Sequence, residues 1–407
     1  MMKKVGSLMI SNILFGFSQM IIIVFLNKYG STSTVGLYTL ALAIVAPVTV
    51  LLNMGLNLHY NTSKQKVFIN DYLLIRYITG FLVIIISIIL GIIFNHEKYL
   101  IVVIFLVATL KFIESLFEIN YAFLQKKEMH NLISFSKIVR SLIITIWILI
   151  ISFLLKFNLI IMIIGFIIFN CIFYYFYDFK KISIMKENIP YSFNRMKYII
   201  FTSIPLAIST FIDTLNVNSQ RIIIEKYLSI NEVGIYASLT TIMISGQLVI
   251  SALLTYFLPK LNNSIKTKNI KKYLKLLSFM VIIAMILGIS LILIVILFGD
   301  NIVTILFTKE YIEYKTLTIV VMVTGLFWYI SGTLYYGVIA LNLYKAQMII
   351  FIISFVVNLV STLILVQING IVGVAFALMF SMISRVLCFC LIIIIEVKKY
   401  KKDWVNK

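Results

Sequence analysis

Charge is scarce in this 407-residue chain: Asp, Glu, Lys and Arg together make up 12% of it, with only 15 acidic residues. That is roughly half the share found in soluble domains, too little to clothe two or three of them in water, so a cytosolic enzyme, a secreted protein and a nucleic-acid binder are excluded. Cysteine and histidine number three each. Cys171, Cys388 and Cys390 lie in apolar surroundings without ligand spacing, and His59, His96 and His130 fall in three separate connections. Neither a disulfide framework nor a metal site is expected. No HExxH, GxSxG or Walker A sequence occurs, so neither these hydrolytic chemistries nor ATP hydrolysis is expected in this chain.

What is present is apolar. The hydrophobic set reaches 62%, enough to fill about twelve membrane helices of about 20 residues each. Twelve apolar blocks can be marked, near 5–26, 34–58, 72–94, 99–121, 132–155, 157–177, 198–220, 232–258, 275–298, 316–340, 345–366 and 371–395. They are rich in β-branched residues, yet they lack the alternation of a membrane barrel and satisfy their backbone polar groups best as helices. The expected fold is therefore an all-α polytopic membrane protein. Lys3 and Lys4 ahead of the first block resemble a signal peptide, but no cleavage site of the usual kind follows, and the block is read as a retained first helix.

The net charge of +20 is distributed in short basic runs between blocks. With the amino terminus in the cytoplasm, 26 of the 35 Lys and Arg fall on that side and 7 on the other, which places both termini inside. The longest connections, 178–197 and 259–274, face the same side.

An internal repeat organises the chain. KYGSTSTVGLY at 28–38 and KYLSINEVGIY at 226–236 share Lys, Tyr, Ser, Val, Gly and Tyr at a fixed offset of 198. An even number of helices separates the copies, so they share one orientation. The expectation is two parallel six-helix bundles: residues 1–177, a cytoplasmic linker 178–197, and residues 198–407 with a basic tail.

Polar residues within the blocks are the functional candidates, because charge in hydrocarbon is costly unless it faces a bundle interior or an aqueous cavity. Lys111, Glu114 and Glu118 share one helical face. This pattern fits either a transport pathway or a structural ion pair. Ser209, Asp213, Asn216 and Gln220 form a second stripe, ending at Arg221, on a helix interrupted by Pro205. Ser11, Ser18 and Gln19, with Asn12 beside them, occupy the corresponding region of the first helix, and the two polar faces together point to a central cavity, the alternative being a buried hydrogen-bonded seam between helices. Arg140 and Arg385 either offer positive charge to a phosphate-bearing substrate or snorkel to a membrane surface. Asn53 and Asn57 are weaker contributors. Glu114 and Asp213 are candidates for binding a coupling proton or sodium ion, and no other cofactor is expected.

The repeated signature, with Ala252–Leu261 and the GIVGVAFA of Gly370–Ala377, resembles the bacterial polysaccharide-transporter family within the multidrug, oligosaccharidyl-lipid and polysaccharide exporter superfamily. Where many relatives carry an aspartate immediately before the arginine that Arg221 resembles, this chain has Gln220. The resemblance implies a non-enzymatic flippase of a bacterial cytoplasmic membrane. It would move an undecaprenyl-pyrophosphate-linked oligosaccharide outward by alternating access, alongside glycosyltransferases and a glycan polymerase. Lys111, Arg140, Arg221 and Arg385 are then phosphate or cavity charges, and Asp213, Asn216 and Gln220 glycan or ion contacts. A multidrug or organic-cation antiporter is the alternative on the same architecture.

Overall fold

A computed structural model describes residues 2–63, 68–94, 96–154, 157–187 and 189–405. Lys64, Lys66, Lys156 and Lys407, which enter the charge count above, lie outside the described residues. Among the described residues every regular element is helical. Eleven helical runs among the described residues are long and apolar enough to cross a membrane. The last, Tyr344–Val405, is broken at Gly370, whose φ of 55° and ψ of −137° belong to a region open essentially to glycine. With the break counted, the expected twelve legs are present.

The first legs are α1 (Met2–Tyr29), α2 (Thr32–Asn53) with its continuation α3 (Leu56–Thr62), α4 (Ile69–Ile93) and α5 (Lys98–Lys126). Then come α6 (His130–Leu154) and α7 (Leu159–Phe173), which runs through a π-helical turn at Tyr174–Phe179 into α8 (Lys180–Met185). The later legs are α9 (Phe193–Tyr227), α10 (Ile230–Lys266), α11 (Ile270–Leu306), α12 (Lys315–Ala340) and the bent α13 (Tyr344–Val405). Two compact units result, residues 1–222 and 223–407, and the division falls inside α9.

Helix starts follow local chemistry. The repeated motif is a capping device: Ser31 and Ser229 both sit in extended backbone, and each side chain accepts from the N–H three residues on, Thr34 and Glu232, at 3.2 Å. The following Val35 and Val233 are wholly enclosed, and Tyr38 and Tyr236 nearly so. The matched residues therefore stop one helix, cap the next and key its first turns into each unit. Asn158 caps α7 in the same manner, accepting from Ile160 and Ile161. The α2–α3 break is made by Met54 and Gly55, both left-handed at φ 51° and 56°.

Both faces of these helices are apolar, as lipid requires. In α11 one face buries Tyr273, Leu277, Met280, Ala284 and Gly288. Phe279, Ile282, Ile286, Ile289 and Leu293 stay exposed on the other. Small residues permit the close approaches that packing in a bilayer depends on: a Cβ on Gly325 would come within 2.9 Å of Met243, and one on Gly337 within 3.0 Å of Leu277.

Within the first unit, the connections near 60, 126 and 185 gather at one end. Lys126 Nζ donates to the Tyr60 carbonyl at 3.0 Å, and Lys127 Nζ to the Met185 carbonyl at 2.8 Å. Asn70 donates to the carbonyls of Glu187 and Ile189 at 3.1 and 3.0 Å. At the opposite end the rings of Tyr29 and Phe153 meet edge to face at 5.3 Å.

Candidate functional site

The first unit encloses charge along the inner face of α5. Lys111 Nζ and Glu114 Oε2 pair at 2.7 Å, on side chains 25% and 18% exposed. One turn further, Glu118 opens onto a cavity of about 530 Å³ whose polar lining includes Asn57, Asn61, Thr62, Gln125 and Lys137. Lys137 donates to Asn12 Oδ1 at 2.6 Å and lies over the ring of Tyr121 at 5.3 Å. Arg76, Lys111 and Lys137 attract the Glu118 carboxylate, and Glu114 repels it. The α5 stripe thus runs from an ion pair into a polar chamber, three and four residues at a time, as helical geometry dictates.

Behind that chamber is a hydrogen-bonded network. Arg140, 3% exposed, donates from Nε to Asn170 Oδ1 at 2.9 Å and from Nη1 to the Tyr121 hydroxyl at 3.4 Å. Its guanidinium stacks on Phe117 at 3.8 Å and faces Phe15 at 5.0 Å, which recovers part of the cost of its burial. The Tyr121 and Ser136 hydroxyls meet at 2.8 Å, and Ser136 donates to Asp178 Oδ2 at 2.9 Å. Asp178 lies in the π-helical turn, a local form that often re-aims a side chain at a functional position.

The sequence-predicted residues divide into four groups. Lys111, Glu114 and Arg140 come together in the first unit, where Arg140 adds positive potential at Glu114. Asp213, Asn216, Gln220 and Arg221 lie along α9. Asn216 and Gln220 are fully enclosed there, Asp213 is half-buried, and Arg221 donates to Asn218 Oδ1 at 3.5 Å. Arg385 is in the second unit, where Nε and Nη2 reach Ser354 Oγ at 3.3 and 3.2 Å and the guanidinium stacks on Phe351 at 4.7 Å. It ties the two limbs of α13 together. On α1, Ser11 and Ser18 are buried and donate to their own helix, to Leu8 and Phe15 carbonyls. Asn12, beside them, is the α1 residue that joins the Lys137 arrangement.

Sequence reasoning missed several members. Arg76, counted among the connecting charges, is 0% exposed inside α4 and donates from Nη1 to Asn53 Oδ1. Its place about two turns into the helix was the available signal. Lys137 was counted only toward orientation, and Asp178 and Asn170 were not singled out. Gln125, Asn61 and Thr62 were hidden at helix ends, where polar residues are commonplace. Among the described residues there is no cluster of three or more His, Cys, Asp or Glu able to hold a metal ion.

Comparison with known proteins agrees with this architecture. The profile of a family described as polysaccharide biosynthesis protein matches residues 1–264. The chain is 26% identical over 343 residues to the capsular polysaccharide biosynthesis protein CapF of Staphylococcus aureus, covering 82% of this chain and 83% of that one. Among solved structures, a multidrug resistance MATE family transporter of the MOP superfamily, in an inward-facing conformation, superposes with a TM-score of 0.76 at 13% identity, over 96% of both chains. A MOP superfamily transporter from Pyrococcus furiosus superposes with a TM-score of 0.70 at 12% identity, over 98% of this chain and 96% of that one.

Proposed function

Because the chain belongs to the polysaccharide biosynthesis protein family and carries the fold of MOP superfamily transporters, we propose that it is a flippase for an undecaprenyl-pyrophosphate-linked oligosaccharide. The observation that carries this reading is the polar chamber of the first unit. Its amides, hydroxyls, Lys137 cation and Glu118 carboxylate offer donors and acceptors together, as a glycan's hydroxyls require. A lone cation-binding pocket would need acidic groups above all. Here the positive groups Lys111, Lys137 and Arg140 surround Glu114 and Glu118, a balance that suits a substrate with phosphate at one end and sugar at the other.

Transport on this reading breaks no covalent bond. The sugar and phosphates exchange water for the chamber's hydrogen bonds, and the two halves of the fold alternate access to it. We place the chamber's end of the first unit in the cytoplasm, following the charge count, so that loading is from the inner leaflet. Asp213, Asn216, Gln220 and Arg221 form the α9 stretch of the route, and Glu114 and Asp213 are the carboxylates for proton or sodium coupling. The glycan lipid reaches the protein from glycosyltransferases and leaves it for a polymerase.

The test is reconstitution of the purified protein in vesicles with a fluorescent undecaprenyl-pyrophosphate glycan, followed by its arrival in the opposite leaflet. Transfer should depend on the protein and fall in correctly inserted Asp213→Asn and Arg221→Gln variants. Unchanged transfer in both would remove the α9 residues from the route. Failure to move any lipid-linked glycan, with vigorous exchange of organic cations, would establish the antiporter reading instead.

A further inference from the structure

Two cavities of the first unit flank the α2–α3 break. Asn57 and Asn61, just beyond it, line the polar chamber, while Leu52 and Met54, just before and within it, line an apolar cleft of about 540 Å³. The cleft is walled by Ile75, Ile78 and Leu82 of α4 and by Ile200 and Phe201 of α9, and Lys197 brings a cation to it. Ile78 and Phe201 are more than half exposed, so the cleft opens sideways, where a hydrocarbon chain can enter.

Its walls are fastened together. His59 bridges the Tyr72 hydroxyl at 2.7 Å and the Thr202 hydroxyl at 2.8 Å, joining α3, α4 and α9. Arg195 Nε donates to the buried Asp71 Oδ2 at 2.6 Å, binding the starts of α9 and α4.

Arg76 stands in the partition between cleft and chamber. On α4 its neighbours Ile75 and Thr79 line the cleft, its partner Asn53 lies between Leu52 and Met54, and Glu118 of the chamber acts on it electrostatically. It is 0% exposed, and its Nε and Nη2 have no hydrogen-bond partner. Buried guanidinium donors left unmet are costly, and a phosphate offers them paired oxygen acceptors.

We propose that cleft and chamber are two halves of one amphiphile site: the cleft holds the first part of the isoprenoid chain of a polyprenyl diphosphate lipid, and Arg76 is the cation that receives its diphosphate. The identity of this lipid rests on the flippase reading above. The cleft falls within the roughly 300–1,000 Å³ of small-molecule sites, so it takes only the proximal isoprene units, and the remaining chain stays in the bilayer.

The experiment uses the full-length protein in nanodiscs containing phosphatidylglycerol and a benzophenone-bearing polyprenyl diphosphate without sugar. Light should attach the probe within 75–82 and 196–201. Unlabelled polyprenyl diphosphate should displace it, and added phosphatidylglycerol should not. Arg76→Gln should weaken that displacement about tenfold, equivalent to roughly 1.4 kcal/mol. Lys197→Gln should weaken it less. Ile78→Trp should block labelling by filling the cleft, and labelling of the unaltered protein needs no variant to fold. Displacement by phosphatidylglycerol as effective as by polyprenyl diphosphate would make the cleft an ordinary lipid contact and overturn the proposal, as would labelling confined to other segments. A protein labelled as expected that moves no glycan lipid would overturn the flippase reading and leave this site standing. One that moves glycan lipid with the cleft unlabelled would overturn this site alone.

Discussion

The interiors of the two compact units differ in kind although their repeated corners match. Among the described residues, those buried in 1–222 include Asp71, Arg76, Arg140 and Asp178. In 223–407 the buried polar set is made of Ser, Thr, Asn and Gln, with Arg385 as its charged member. The second unit's buried tyrosines complete the contrast: Tyr273 donates to the Gly337 carbonyl, Tyr311 to Ser238 and Tyr329 to the Met243 carbonyl, at 2.7 to 3.0 Å. Hydroxyls satisfied by neighbouring helices act as local fasteners at modest cost. Buried charges demand partners and are retained where something beyond packing requires them. One scaffold has thus kept its frame in both units and invested charge in one, and the polar chamber lies in that one.

The largest test of this asymmetry is functional. Lys137→Ala and Glu118→Ala, each removing a charged group from the chamber, should lower glycan-lipid transfer by about ten- to a hundredfold, the range of a charge-assisted hydrogen bond. Arg385→Gln in the second unit, which removes a charge that is no part of the chamber lining and keeps a donor for Ser354, should leave transfer within about twofold. Vesicle assays on matched amounts of inserted protein decide it. Equal losses in both units would erase the distinction.

How far this contrast was legible in the sequence depended on spacing. The twelve legs followed from apolar length, and Lys111, Glu114 and Glu118 declared their shared face because helical periodicity is local. The repeat was visible as identities, yet its physical content, a serine cap followed by a buried Val-Gly-Tyr, required the backbone at Ser31 and Ser229. The Arg140–Tyr121–Ser136–Asp178 chain was beyond reach because its members come from three segments, 121, 136–140 and 178, and only tertiary packing brings them together. Arg76 was passed over for a different reason: it entered only the count of basic residues on one side of the membrane, and its complete burial is a tertiary fact.

A smaller effect separates the units by what their glycines touch. A Cβ on Gly80 in α4 would fall 2.0 Å from a ring atom of Phe112, a side chain that can swing. One on Gly373, just past the bend in α13, would fall 2.1 Å from the Leu365 carbonyl oxygen, which is backbone and must move with its helix. Overpacking costs roughly 1–3 kcal/mol, so Gly373→Ala should lie at the upper end of that range and Gly80→Ala at the lower. Thermal unfolding of both variants in the same detergent reads the order directly, and a reversed order would mean that the bend at Gly370 is the softer of the two places.

The smallest effect bears on what the units share. If the repeat is a capping device, Ser31→Ala and Ser229→Ala each remove one side-chain acceptor from a helix start and should cost about 1 kcal/mol apiece. The two costs should also be nearly equal, because both serines accept at 3.2 Å from the N–H three residues on, in nearly identical backbone. Ser31 has a further neighbour, the Thr34 hydroxyl at 3.0 Å, and Ser229 has the matching one in the Glu232 side chain, which it hydrogen-bonds. Ser229→Ala should therefore lose slightly more, because its second partner is a carboxylate and that bond is charge-assisted. A loss at one corner alone would show that the matched sequence no longer does matched work, and the contrast between the units would then reach down to the frame itself.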